Sequence, residues 1–149
     1  ERVGKNGKIF KILKFRTMKT NAETNGAVFA AINDSRVTAF GKFLRKTRID
    51  EFPQFINILK GDMGVIGPRP ERPVFVKEIA EVMPFYETRH VIKPGLTGWA
   101  QVNYSYGETI NDSLIKLQYD LYYIKHRSIF LDINIIFKTI STVLFYRGQ

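Results

Sequence analysis

Cysteine is absent from the 149 residues. That excludes a disulfide framework, a thiolate zinc site and a cysteine nucleophile. No apolar run approaches the ~18 residues that a membrane-crossing helix needs, and no signal-peptide pattern is visible. The two histidines, His90 and His126, stand too far apart for metal-ligand spacing. His90 reads as local packing and His126 as surface. Glycine-rich phosphate loops, dinucleotide fingerprints and nucleophile elbows are also missing. Negative charge is scarce: 14 Asp and Glu against 23 Lys and Arg, a net charge of +9. A surface that basic calls for an anionic partner, whether nucleic acid, a phosphorylated ligand or an acidic membrane.

What is present reads as one folded domain over residues 1–149. Hydrophobic residues make up 44%, enough for a core and too many for disorder. Lys8 to Met18 alternates, then shifts phase between Ile12 and Leu13, which predicts a strand with a bulge. Residues 21–33 read as a loop. Asp34 is placed to cap a helix over Ser35–Lys46, with Val37, Phe40 and Leu44 on one face. Asp50-Glu51-Phe52-Pro53 opens the next helix, whose apolar face is Phe55, Ile56 and Leu59 and whose stop is Gly61.

Met63–Ile66 predicts a short strand, and Gly67-Pro68-Arg69-Pro70 an extended turn. Pro73 and Pro84 bracket a helix of about ten residues, and a further helical stretch ends at Pro94-Gly95. Thr97–Asn103 is compatible with a strand. Asn111 or Asp112 caps a helix carrying Leu114, Leu117, Leu121 and Ile124. Asp132 to Tyr146 carries a stripe of Ile133, Ile136, Phe137, Ile140, Val143 and Leu144. The mixture predicts a helix-rich α/β (mixed α+β) class, with amphipathic helices around a small sheet.

Chemistry concentrates in four places. Asp50-Glu51 follows Lys42, Arg45, Lys46 and Arg48, and a helix N-terminus beside cations keeps a carboxylate ionised. Such a carboxylate can attack phosphorus, and its neighbour can hold Mg²⁺. The same pair also reads as an ordinary acidic first turn. Arg69 and Arg72 sit among prolines that aim their phosphate-matching forks, or they are solvated turn residues. Lys14 and Arg16 share strand parity, facing a diphosphate or water. Pro94 to Gln101 holds two glycines and the single Trp, Trp99, suited to a base, a membrane interface or a core position. Aromatic and basic residues interleave from Tyr119 to Arg147, a pattern that suits a membrane surface and equally a core-facing stripe.

Together these motifs resemble the bacterial sugar transferases, the monotopic phosphoglycosyl transferases. The run RIDEFPQFINILKGDMGVIGPRPERPVF is similar to their catalytic signature. KIFKILKFRTM is similar to their basic strand motif, RHVIKPGLTGWAQVNY to a later motif, and LQYDLYYIKHRSIFLDINIIFKTI to their C-terminal helices. The resemblance covers nearly the whole chain, and NYSYGE with ERPVF looks like the exopolysaccharide branch. It implies transfer of a sugar-1-phosphate from a UDP-sugar to polyprenyl (undecaprenyl) phosphate, with release of UMP.

Carried over, the family's nucleophile is Asp50, and the acid that helps hold Mg²⁺, the implied cofactor, is Glu51 beside it. Lys14 and Arg69 are the implied catalytic cations. Arg16, Pro68, Arg72 and Gln101 complete the implied substrate-binding set. The implied setting is a membrane-associated catalytic domain on the cytoplasmic face of the bacterial inner membrane. Phe52 stands where Leu is common. In the family, a hydrophobic helix that enters the membrane and turns back precedes the strand motif. Nothing here corresponds to it, and the chain opens on Glu1 without Met, so it is read as a fragment. A nucleic-acid-binding module would also explain the charge, but no helix-turn-helix, zinc or RNP-type pattern accompanies it. A non-catalytic membrane-surface adaptor would not need the intact acid pair. The sugar and the oligomeric state are left open.

Overall fold

The computed structural model describes residues 1–22, 34–104 and 110–144. The end of the chain's aromatic stripe, including Tyr146, and most of the 21–33 loop lie outside the described residues. Strands β1 (Arg2–Val3) and β2 (Ile9–Phe10) form an antiparallel hairpin, pairing Arg2 with Phe10 and Val3 with Ile9. Helix α1 (Ala39–Lys46) is followed by a 3₁₀ turn (Ile49–Glu51) and helix α2 (Gln54–Leu59). Strand β3 (Gly64–Ile66) leads to helix α3 (Pro73–Val82), a 3₁₀ segment (Tyr86–Val91) and strand β4 (Gly95–Thr97). β3 and β4 are parallel, Gly64 opposite Gly95 and Ile66 opposite Thr97. Helices α4 (Trp99–Asn103), α5 (Ile110–His126) and α6 (Ile129–Leu144) follow. The class is the expected helix-rich mixture around very small sheets.

The core forms where α3 meets the hairpin and α5. Val3, Phe75, Val76, Ile79, Met83, Tyr86 and Leu117 cluster there, with Leu121 packed against them. Fully burying one such side chain is worth about 1.5–3 kcal/mol. α3 starts at Pro73, whose missing N–H costs nothing in a first turn. It ends where the two-proline bracket places it.

Four local expectations need correction. Lys8–Met18 is not one strand: ladder pairing stops at Phe10, and Met18 makes an isolated bridge to Val37. The intervening backbone is claimed by other partners. Asn57 Oδ1 accepts from Leu13 N at 2.9 Å, Asn57 Nδ2 donates to Lys11 O at 2.9 Å, and Phe15 N donates to Asp50 O at 3.0 Å. α1 begins at Ala39 instead of Ser35, because Thr38 supplies the cap to Gly41 N at 2.9 Å while Asp34 is paired with Arg36. Strand β4 ends at Thr97, and residues 99–103 are helical, closed by Tyr104 N donating to Ala100 O. Asp50-Glu51 do not open α2: they form a separate 3₁₀ turn, and the helix starts at Gln54. The apolar stripes of α2 and α6, left open between core and membrane surface, face out. Phe55, Ile56 and Leu59 of α2 are exposed, Leu59 to 87%, while Gln54 and Asn57 are buried. On α6, Ile133, Ile136, Phe137 and Ile140 are exposed and Ile135 is buried.

Candidate active site

The site is built from three chain segments that converge on the 3₁₀ turn. Two residues past the end of α1, Arg48 caps the 3₁₀ turn in a left-handed conformation (φ 58°, ψ 11°). For a residue with a side chain this costs on the order of 1–2 kcal/mol, and it reverses the chain so that Asp50 and Glu51 point inward. Both are buried. Glu51 N bonds back to Arg48 O, closing the turn.

Glu51 Oε1 accepts from two cations: Lys14 Nζ at 2.9 Å and Arg69 Nη2 at 3.1 Å. Burial by itself would raise the Glu51 pKa, but Arg69 and Lys14 outweigh it and hold the carboxyl far below the usual carboxylate range. Lys14 is itself pushed down, first by burial and then by Arg69, while Glu51 pulls it back up. Arg69 is raised, chiefly by Glu51. Asp50 goes the other way. Burial raises its pKa, with Lys14 opposing and Glu51 adding repulsion. Two adjacent carboxyls are thus driven apart, a pattern that separates chemical roles.

Asp50 Oδ1 is buried and has no hydrogen-bond partner among the described residues. A buried carboxylate oxygen left without a donor is costly and leaves an acceptor open to an electrophile or a cation. Among the described residues no cluster of three metal-ligating side chains exists. Even so, an open carboxylate oxygen beside a second ionised carboxylate is a donor set that fits Mg²⁺, which keeps several waters and needs one or two carboxylates from the protein.

The remaining expected residues are distributed differently. Arg16 is exposed, and the ion pairs to Glu51 come from Lys14 and Arg69. Loss of strand geometry after Phe10 removes the shared parity. Pro68 is buried, its carbonyl accepting from Gly95 N at 3.0 Å. Arg72 is half-buried at the N-cap position of α3. Gln101 donates from Nε2 to Leu96 O at 3.2 Å, and its Oε1 is buried without a donor. The turn carrying Arg69 lies directly on β4, since a Cβ at Gly95 would stand 2.1 Å from Gly67 N.

Sequence reasoning missed the groups that hold this arrangement. Asn57, 1% exposed, clamps the segment that presents Lys14 and also donates to Asp62 at 3.1 Å. Arg45 donates to Thr17 Oγ1. The polar pair Gln54 and Asn57, three residues apart on one side of α2, was the available signal. Two cavities of about 270 Å³ each lie elsewhere, among Lys5, Lys8, Lys60, Lys93 and Arg127, and neither is lined by Asp50 or Glu51.

Residues 1–146 match the family model described as bacterial sugar transferase. The chain belongs to that family. As a bacterial sugar transferase it is 53% identical over 143 residues to a UDP-N-acetylgalactosamine-undecaprenyl-phosphate N-acetylgalactosaminephosphotransferase of Aeromonas hydrophila, covering 96% of this chain and 34% of the relative. It is 44% identical over 143 residues to a UDP-glucose:undecaprenyl-phosphate glucose-1-phosphate transferase of Escherichia coli K12, covering 93% and 30%. It is 41% identical over 153 residues to an undecaprenyl-phosphate glucose phosphotransferase of Komagataeibacter xylinus, covering 99% and 29%. The sugar transferase chain therefore spans about a third of these relatives' length.

Proposed function

We propose that this domain transfers a sugar-1-phosphate from a UDP-sugar to undecaprenyl phosphate through a covalent intermediate on Asp50. The observation that carries the reading is the unpartnered, buried Asp50 Oδ1 beside a Glu51 whose charge is secured by Lys14 and Arg69. The relatives' names support the two substrates.

In the first step an Asp50 carboxylate oxygen attacks the β-phosphorus of the donor. The new P–O bond forms as the bond to the bridging oxygen breaks, and UMP leaves with that electron pair. In the second step a phosphate oxygen of the lipid attacks the same phosphorus. Asp50 is released as a carboxylate, and the product is an undecaprenyl diphosphate sugar. Splitting the transfer lets two large substrates use one site in turn.

Anion–anion repulsion is the main barrier. Lys14 and Arg69 neutralise charge on the diphosphate and on the leaving UMP. Glu51 keeps both cations in place and stays ionised while doing so. Mg²⁺ would be held by Glu51 and Asp50, and when bound it neutralises diphosphate charge. Burial of Asp50 strips water from the nucleophile and raises its basicity.

The outward apolar faces support a membrane-surface setting. Phe40, Phe43, Phe52, Phe55 and Leu59 are exposed on α1, the 3₁₀ turn's end and α2, among Lys42, Lys46 and Lys60. Exposed apolar groups ringed by lysine suit an anionic lipid surface. No helix among the described residues is long and apolar enough to cross a membrane. We place the domain on the cytoplasmic face of the bacterial inner membrane, where UDP-sugars meet the lipid phosphate.

The test uses the full-length protein reconstituted in membranes with Mg²⁺, undecaprenyl phosphate and a panel of radiolabelled UDP-sugars. Wild type is expected to release UMP and label lipid with ping-pong kinetics, and Asp50→Asn to do neither. Full activity in Asp50→Asn, or an obligatory ternary complex, would remove the covalent step. Tight, salt-sensitive DNA binding without UMP release would favour a nucleic-acid module instead.

A further inference from the structure

Arg69 is bonded at both ends. Its guanidinium reaches Glu51, while its carbonyl accepts from Arg89 Nη2 at 3.0 Å. Arg89 lies in the 3₁₀ segment Tyr86–Val91, twenty residues away from Arg69 in sequence. The Arg89 guanidinium makes three further bonds. Nε and Nη2 donate to Asp120 Oδ2 at 3.0 and 2.7 Å, and Nη1 donates to Tyr86 Oη at 2.7 Å. Arg89 is 5% exposed and Asp120 1%.

A buried ion pair is weak evidence for stability, since a well-packed apolar pair often serves as well. It is better explained by what its geometry fixes. The Arg69 carbonyl belongs to the Arg69–Pro70 peptide, which has no N–H to anchor it from the other side. Pro68 and Pro70 restrict the backbone dihedrals on either side, but they do not fix where the rigid turn sits. Its location is set by Gly67 N donating to Thr97 O at 2.9 Å, Gly95 N donating to Pro68 O at 3.0 Å, and the Arg89 contact. The first two tie the turn to β4; the third ties it to α5 through Asp120.

We propose that Arg89 and Asp120 are positioning residues for the transfer reaction, forming a relay from α5 that sets the location of Arg69 and, through it, the Glu51 charge. This rests on the functional reading above. The relay orders the site without touching substrate. The fork geometry matters: a lysine at position 89 keeps one charge for Asp120 but cannot also reach Tyr86 and the Arg69 carbonyl with fixed directions. Displacement of a charge-stabilising group by about 1 Å costs up to about 100-fold in rate.

The experiment is a double-mutant cycle on full-length protein in membranes, read as UMP release. Arg89→Lys is expected to lower kcat roughly 10- to 100-fold, with the donor KM within about twofold. In an Arg69→Ala background the same change should cost less than about twofold, because the group it positions is gone. The paired variant Arg89→Met/Asp120→Leu, which removes the charges together and protects the fold, should match Arg89→Lys. Equal losses in both backgrounds would mean a general structural role and overturn the relay, as would wild-type kcat in Arg89→Lys. A second readout does not need turnover: hydrogen exchange of the peptide over residues 64–72 should accelerate in Arg89→Lys while the β1–β2 hairpin is unchanged. Unchanged exchange at 64–72 would also overturn the relay. A wild type that releases no UMP, or an Asp50→Asn variant with full activity, defeats the functional reading instead, and the exchange result then decides the relay alone.

Discussion

α2 and α3 carry the same kind of message in sequence and fold in opposite senses. Each is a short helix with apolar residues on one side and polar residues on the other. α3 turns Phe75, Val76 and Ile79 into the core and leaves Lys77, Glu78 and Glu81 outside. α2 buries Gln54 and Asn57 and leaves Phe55, Ile56 and Leu59 outside. The inward side of α3 is satisfied by dispersion and loss of water contact. The inward side of α2 is satisfied by hydrogen bonds to the backbone that presents Lys14. An amphipathic pattern therefore states that two faces differ and leaves open which one the protein covers.

The contrast can be broken by substitution. The largest effect is expected at the acid pair that α2 supports: Asp50→Asn should lower UMP release by about 10³-fold or more. Its thermal midpoint should hold or rise, since a buried, underbonded carboxylate is removed. Loss of folding in that variant, seen by calorimetry, would mean the carboxylate is structural.

Next come the two inward faces. Asn57→Leu, which makes α2 resemble α3, should destabilise by about 2–4 kcal/mol, because Leu13 N and Lys11 O lose their partner. Rate per folded molecule should also fall. Ile79→Ala should cost a similar ~2–4 kcal/mol through a cavity in the α3 core while leaving the rate per folded molecule unchanged. Chemical denaturation together with active-site titration separates the two outcomes. If Asn57→Leu proved neutral or stabilising, α2 would be an ordinary helix that could be turned over.

The pH dependence is smaller and has a definite sign. Glu51 is held low in the folded state, so its pairing stabilises the fold above the ordinary carboxylate pKa and that contribution is lost as pH falls below it. Asp50 is held high, so it favours the fold at low pH and weakens it as pH rises through its raised value. Under the proposed mechanism Asp50 attacks in its ionised form, so the acid limb of the rate should lie above the ordinary Asp range of about 4. A limb at or below 4 would contradict the burial effect. The smallest stability change is expected on the outer face of α2. Leu59→Ser should move stability by no more than about 0.5 kcal/mol, yet weaken binding to anionic vesicles in a flotation assay. A core-sized loss of stability there would show that Leu59 is covered in the folded protein.

Legibility in the sequence varied with the range of the interactions. α3 was readable because Pro73 and Pro84 bracket it and its period matches its burial. The β3 strand and the turn at Gly67–Pro70 were readable from proline and glycine chemistry. The Lys8–Met18 strand failed because side chains of α2 and the Asp50 carbonyl outcompete a neighbouring strand for its backbone. The start of α1 was misplaced because Asp34, a good cap by residue type, found Arg36 first. In the site, Asp50, Glu51, Lys14 and Arg69 were legible through motif resemblance. Arg89 and Asp120 were not, since a lone Arg and a lone Asp 31 residues apart carry no local pattern.

By itself, the sequence determined the family, the acid pair, the excess of positive charge and the periodicity of each helix. These are properties of residue type and spacing, which act over a turn or a motif. Tertiary structure alone decided which face of α2 and α6 is covered. It also decided that Lys14 and Arg69, 37 and 18 residues from Glu51, share one carboxylate oxygen. The reason is physical. Periodicity specifies the angle between two faces of a helix, but the medium on each side, and the meeting of distant charges, exist only after the chain has crossed itself.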